Sequence, residues 1–311
     1  MQVRLATFNL ENLGVREGDD PHLSRQWLGR HVQALRRTVE AIDADAVAFQ
    51  ELLDPGLLPP LIEGLGYEHV AVGERGSSPL LTGVFSRFPL RDPHPVAAGI
   101  DLCVVDRKTG IEVAVRGAFS RPALQVVWEV PAAPVTLIVV HWKSKIPSYT
   151  PARVSEPGGE PWESLGDAGE GRVVTEVKRL TQALQVRRVV DRHLRHDPRA
   201  RLAVLGDFND TLESEALRIL MGDARACASP TLTPAELYPC EFAIPPENRY
   251  TQLYRGQREM IDHILVTRSL AECLEGARAY NEGLRETVDG PGFDWEAEGS
   301  DHAPLVATFR L

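Results

Sequence analysis

Leu202, Ala203, Val204 and Leu205 form a short apolar run that ends at Gly206, and Asp207, Asn209 and Asp210 follow within four residues. Such a run suits a buried strand. A buried strand that ends in acceptors delivers polar groups to the rim of a core on a rigid support, where a metal or phosphate site wants them. Gly-Asp-x-Asn-Asp on its own is equally an ordinary turn. The readings separate only because other strand-like runs in the chain end in similar groups.

From the N-terminus, residues 3–8 read as a strand that hands over to Asn9, Glu11 and Asn12, which alone is also a polar turn after an edge strand. Leu28, Val32, Leu35, Val39 and Ile42 recur at intervals of three and four, predicting an amphipathic helix with Ser24 as its cap. Residues 45–49 are the next strand, with Gln50 and Glu51 at its end. A carboxylate at the mouth of so apolar a strand is costly unless it is paired or binds a metal. Residues 67–72 and 80–85 suggest further strands, with Glu74 on the loop between them. Residues 96–105, 111–119 and 124–130 read as a meander broken at Gly110, Arg121-Pro122 and Pro131. Residues 135–140 are apolar again and end in His141-Trp142-Lys143-Ser144-Lys145. A histidine after a strand is usually structural, while two lysines just beyond it would suit an anionic ligand; this segment leaves both readings open.

Residues 144–171 are rich in Pro, Gly, Ser and Glu without a period, as in a substrate lid or a solvated insertion. The spacing then predicts a long helix over 173–194. From 172 to 201 there are nine Lys or Arg against three Asp or Glu, which on a sheet-packing helix reads as a solvated outer face. A short helix at 214–221, a Pro-rich loop at 230–246 with no evident chemistry, and a strand at 261–266 follow. That strand holds Asp262 and His263, and alternation lets only one of them face the core side, so they should not share a role. Residues 281–300 are acidic and run into Ser300-Asp301-His302-Ala303-Pro304, before a last strand over 305–311.

With 311 residues, 43% hydrophobic and 25% charged, the chain fits a single globular domain over 1–311, with insertion loops near 144–171 and 281–300. Its four cysteines lack CxxC spacing, so neither zinc nor a disulfide scaffold is implied. No apolar run approaches the ~18 residues of a membrane span, and the N-terminus lacks a signal-peptide pattern. The expectation is a cytoplasmic monomer. The net charge of −10 counts against non-specific duplex binding.

Side by side, TFNLEN, AFQE, VVHWKSK, GDFND, MIDHI and SDHAP form an ordered set from Thr7 to Pro304. In that order the set resembles the endonuclease/exonuclease/phosphatase superfamily, in its deoxyribonuclease I-like, bacterial nuclease-like branch. The resemblance implies an α/β fold, a four-layered α/β sandwich of two packed, mostly antiparallel sheets flanked by helices, with the site at one rim. It implies that Glu51, with Asn9 and Asp301 beside it, holds a divalent cation. Oxygen ligands favour Mg²⁺ or Mn²⁺ over zinc. It further implies His302 as a base oriented by Asp262. Asp207 and Asn209 would position the attacking water and a phosphate oxygen, or ligate a second ion. His141 would contact phosphate and protonate the leaving group. Glu11 is expected behind the metal or through a water, Lys143 beside the phosphate, and His263 without a role.

The leading expectation is a metal-dependent phosphodiesterase, a nuclease acting by attack of water on phosphorus. A phosphomonoesterase or a lipid- or inositol-phosphate phosphoesterase on the same scaffold is the alternative. A catalytically inactive binding module would be expected to have lost Glu51, Asp207 or His302, and all are present. The acidic stretch before Asp301 favours small phosphodiesters and short or single-stranded nucleic acid over duplex.

Overall fold

A computed structural model describes residues 1–15, 21–148, 162–287 and 297–311. Strand β1 (Gln2–Leu13) leads through helix α1 (Pro21–Ile42) to β2 (Ala46–Leu52), which lies parallel to it. After α2 (Leu58–Ile62), β3 (His69–Val72) and β4 (Leu81–Ser86) continue that sheet. Next come β5 (Leu90–Val96), the ribbon of β6 (Gly99–Val105) and β7 (Glu112–Ala118), then β8 (Ala123–Trp128) and β9 (Val135–His141). Helix α3 (Leu165–His196) returns the chain to β10 (Leu202–Asp207), parallel to β9, and α4 (Glu215–Met221) follows. The last stretch holds β11 (Tyr238–Pro239), β12 (Gln252–Tyr254), β13 (Gln257–Glu259), β14 (Asp262–Val266) and the short α5 (Arg268–Ala271). It ends with β15 (Leu274–Ala279), β16 (Glu286–Thr287) and β17 (Leu305–Arg310).

Two six-stranded sheets result, in the orders β15-β17-β1-β2-β4-β3 and β11-β14-β10-β9-β8-β5. Each has one parallel pair near its centre, β1–β2 and β9–β10, and its other pairings are antiparallel. Alternation along the strands builds three cores. Val3, Leu5, Ala46 and Ala48 of the first sheet meet Leu137, Val139, Ala203, Leu205 and Ile264 of the second. Ala6, Phe8, Val47 and Phe49 face outward onto Leu35, Val39 and Ile42 of α1. Ile138, Val140, Val204 and Leu265 face outward onto Val186, Val189 and Val190 of α3 and Leu217 of α4. Helix, sheet, sheet and helix are the four layers expected.

Several local readings are corrected. Helix α1 starts at Pro21, so Ser24 lies inside its first turn and is not its cap. Helix α3 starts at Leu165, where Ser164 Oγ accepts from Asp167 N at 3.2 Å. Its early turns carry no apolar period because Leu165 and Val173 are 93% and 63% exposed. The expected meander is divided: β6 and β7 pair only with each other, whereas β8 joins the second sheet. Strand β5 (LRDPHPV) escaped the sequence reading because its prolines argue against a strand, yet it lies on a sheet edge, where proline is tolerated. Of the two expected insertions, residues 149–161 and 288–296 lie outside the described residues. No helix among the described residues is long and apolar enough to cross a membrane.

Candidate metal and hydrolytic site

The period of two that builds the central core also aims the site. Val3, Leu5 and Thr7 are followed on the same face of β1 by Asn9, and Leu137 and Val139 on β9 by His141. Ala203 and Leu205 on β10 are followed by Asp207, and Asp262 shares a face of β14 with Ile264. Parallel pairing brings the C-terminal ends of β1, β2, β9 and β10 to one rim, and the antiparallel β14 starts there, with Asp262 opposite Asp207. Glu51 falls on the outward parity of β2. The ladder there shifts register between Phe49 and Leu52, and Glu51 takes φ +63°, which turns its carboxylate toward the site. Gly206 is required by close approach: a Cβ there would lie 2.0 Å from the Val140 carbonyl oxygen.

The side chains converge as a bonded set. His302 Nδ1 donates to Asp262 Oδ2 at 2.8 Å. Asp207 accepts from Asn209 N at 2.8 Å, from Asn209 Nδ2 at 2.9 Å and from Asn9 Nδ2 at 3.0 Å. Asn9 Oδ1 accepts from Glu11 N at 2.9 Å. His141 Nε2 lies 3.5 Å from Glu51 Oε1 and 3.4 Å from Asp207 Oδ2. Glu11 accepts from Asp301 N at 3.1 Å and pairs with Arg285, while Asp301 Oδ2 accepts from Thr287 Oγ1 at 2.9 Å. Potential ligand atoms of Glu51, His141 and Asp207 lie within 4.8 Å of one another, as do those of Asp207, Asp262 and His302.

This clustering strains the ionisation of its members. Burial, reinforced by Asp301 and Glu51, pushes the Glu11 carboxyl up to about 7. Asp207 is pushed up to about 7 by burial, with Asp262 and Glu51 adding to the rise. Burial alone would lower His302, but Asp262, then Asp207 and Asp301, outweigh it and hold the imidazolium form well above the ordinary histidine range. So many acids around one rim are a surplus of negative charge that a divalent cation would relieve, and carboxylate and amide oxygens are the donors that Mg²⁺ or Mn²⁺ prefers.

Two side chains make contacts that the sequence did not announce. Lys143 Nζ turns back on its own loop, donating to Ser144 O at 3.1 Å and Ile146 O at 2.7 Å, so it braces the loop. His141 lies against a residue that sequence reasoning passed over: Arg121, from the supposed strand break, donates from Nη1 to His141 Nδ1 at 2.8 Å. Burial, then Arg121, drives the His141 pKa well below its ordinary value. Arg121 Nε is itself buried without a partner. Only its proximity to β8 in the chain hinted at a place near the rim.

His263 serves the loop behind the site. On the face of β14 opposite Asp262, its Nδ1 donates to Glu241 Oε1 at 2.5 Å and its Nε2 to the Asp210 carbonyl at 2.8 Å. Glu241, fully buried, comes from the Pro-rich segment in which no chemistry was evident. The basic face of α3 is not wholly solvated either, since buried Arg179 reaches Asp210 Oδ2 at 3.2 Å. Burial would lower the His263 pKa, but Glu241 outweighs it and raises it. A raised folded-state pKa stabilises fully below the unfolded value, near ~6.5, and the gain is lost as pH rises through the folded value. Glu241→Gln should therefore lower stability by about 3 kcal/mol at acidic to neutral pH. Urea unfolding should show that gap closing as pH rises; a gap independent of pH would contradict the pairing.

A search of curated proteins returns no sequence match. Among solved structures, truncated TDP2 from Caenorhabditis elegans superposes with a TM-score of 0.56 at 16% identity, over 99% of this chain and 97% of that one. Sphingomyelinase C from Streptomyces griseocarneus gives 0.56 at 17% identity, over 100% of both chains. ANGEL2, described as a 2′,3′-cyclic phosphatase and solved with adenosine-2′,3′-vanadate, gives 0.58 at 17%, over 100% of this chain and 96% of that one. At these identities the likeness is one of fold. The sequence profile of the Endonuclease/Exonuclease/phosphatase family matches residues 6–302, which include every member of the rim cluster. The chain therefore belongs to this family of phosphoester hydrolases.

Proposed function

We propose that the protein is a divalent-metal-dependent phosphodiesterase, cleaving small diesters and short or single-stranded nucleic acid by attack of water on phosphorus. The observation that carries this reading is the convergence of the His302–Asp262 pair, Asp207 with Asn209, and Glu51 at one rim. Glu51, Asn9 and Asp301 would hold a Mg²⁺ or Mn²⁺ ion, which when bound supplies positive charge to the phosphoryl and leaving oxygens.

The chain's own groups divide the remaining work. With Nδ1 committed to Asp262, His302 offers Nε2, which lies 3.4 Å from Gln252 Nε2, to the proton of the attacking water. Asp207, fixed by Asn9 and Asn209, orients that water. His141, held neutral, acts as a hydrogen-bonding group for a phosphoryl oxygen, and Arg121 behind it supplies the positive charge.

A base works only when unprotonated, so kcat/KM should rise with pH along a limb above 6.5, the ordinary histidine value. Asp262→Asn removes the carboxylate that contributes most to raising His302. The limb should move to lower pH, and the plateau should fall because the ring loses its orienting acceptor. A profile unchanged in shape and height would rule out the pairing.

Substrate choice is tested by rates at matched phosphate concentration on bis(p-nitrophenyl) phosphate, p-nitrophenyl phosphate, a short single strand, plasmid, and lipid and inositol phosphates. The diester and the short strand should lead. A monoester or lipid in first place would overturn the diester assignment, and plasmid leading at physiological salt would overturn the preference for short substrates.

A further inference from the structure

The basic stretch that runs from the second half of α3 into the segment after it is only partly matched by acids. Arg188, Arg192, Arg195, Arg199 and Arg201 make no side-chain ion pair or hydrogen bond among the described residues. Elsewhere on the protein Arg87, Arg91, Arg116, Arg268, Arg278 and Arg310 each hold a carboxylate. In a chain of net charge −10, a concentration of unpaired guanidinium groups calls for an anionic partner.

A recess lies beside them. Between α3 and strands β5 and β8 the surface opens into a cavity of about 360 Å³ bordered by His94, Gln125, Arg192, His193 and His196, with no carboxylate in its lining. Its polar wall is built. His94 Nδ1 donates to Asp92 O at 2.7 Å, which leaves Nε2 to accept from Gln125 Nε2 at 3.4 Å. Gln125 Oε1 in turn accepts from His193 Nε2 at 2.9 Å. The His193 pKa is lowered by burial and then by Arg192, His94 and His196.

The recess is aligned with the site. Gln182 of α3 accepts from Lys143 N at 3.2 Å, and Gln182 and Val186 line the small cleft that also touches Arg121 and His141. The next turns of the same helix present Val189, Arg192, His193 and His196 to the recess. At 1.5 Å per residue, Arg192 lies about 15 Å along the helix from Gln182, and Arg199 follows in the segment beyond the end of α3 at His196. Consecutive phosphates of a single strand, a few ångströms apart, would span that interval within several nucleotides.

We propose that the second half of α3, with the His94–Gln125–His193 recess, is a phosphate track that holds the outlying backbone of a single-stranded nucleic acid whose scissile bond lies at the rim. It rests on the nucleic-acid reading above and adds that affinity comes from phosphates beyond the one cleaved. Guanidinium groups beside a recess with no carboxylate or aromatic-carbocycle lining read backbone charge and not base identity.

The test is binding of a fluorescent single strand long enough to follow α3, about 48 Å, against a dinucleotide too short to do so, in chelator to prevent turnover. The wild-type protein should bind the long strand tighter, with a steep salt dependence. Arg192→Gln with Arg195→Gln, both at exposed helix positions, should weaken the long strand severalfold and flatten its salt slope by about 0.7 per arginine. Dinucleotide binding and bis(p-nitrophenyl) phosphate turnover should stay as in wild type. Equal affinity of the wild type for both lengths, or an unchanged affinity and slope in the variant, would overturn the track. Absence of wild-type diester turnover would count against the hydrolytic reading alone, since strand binding is measured without it.

Discussion

His302→Ala should lower kcat by ~10²–10⁴ while leaving KM for a small diester nearly unchanged. The asymmetry follows from where His302 sits. Its Nδ1 is committed to Asp262, so the ring is held in one orientation, and Nε2, with Gln252 Nε2 3.4 Å away, is the nitrogen that takes the proton. A proton acceptor is used in the transition state and contributes little to holding the ground state, so its loss falls on turnover. Stability should change modestly. Asp262 Oδ1 is already buried without a partner, and removing the imidazole leaves Oδ2 in the same condition, a cost of about 1–3 kcal/mol. Steady-state rates on bis(p-nitrophenyl) phosphate with a parallel urea titration separate the two effects. A loss confined to KM, or one accounted for by unfolding, would remove His302 from the chemistry.

Glu51→Gln should be comparably severe, by a different route. If Glu51 holds the ion as proposed, its replacement costs at least what removing a partner behind a ligand does, on the order of 10–100-fold in metal affinity. Activity at limiting Mn²⁺ should fall accordingly and recover in part at high metal. The fold should tolerate the change, because Glu51 is half-buried and its Oε2 accepts one hydrogen bond, from Asn12 N at 3.0 Å. Calorimetric titration of wild type and variant with Mn²⁺ measures this directly. Equal affinities would place the ion elsewhere on the rim.

Much of this arrangement is written along the strands. The alternation that puts Leu137 and Val139 into the central core also delivers His141 to the rim, so the sequence pattern and the site share one cause. The same rule separates Asp262 from His263, and the two lie on opposite faces of β14 with different partners. Glu51 is legible by its cost, not its parity, because a register shift and a positive φ reverse the side it faces. Contacts between segments far apart in the chain leave no periodic trace. Arg121 beneath His141 and Glu241 beneath His263 come from a turn and a Pro-rich loop, where no period points anywhere. The first turns of α3 were missed for a related reason: a helix that projects into solvent has no need of an apolar face.

The central claim, metal-assisted attack of water on phosphorus, is tested most directly by hydrolysis of bis(p-nitrophenyl) phosphate with Mn²⁺ in ¹⁸O-labelled water. The p-nitrophenyl phosphate released should carry one solvent oxygen on phosphorus, the p-nitrophenol none, and chelation of the metal should abolish turnover. Label in the phenol, turnover that survives chelation, or no turnover by the wild-type protein with either Mn²⁺ or Mg²⁺ would contradict the account.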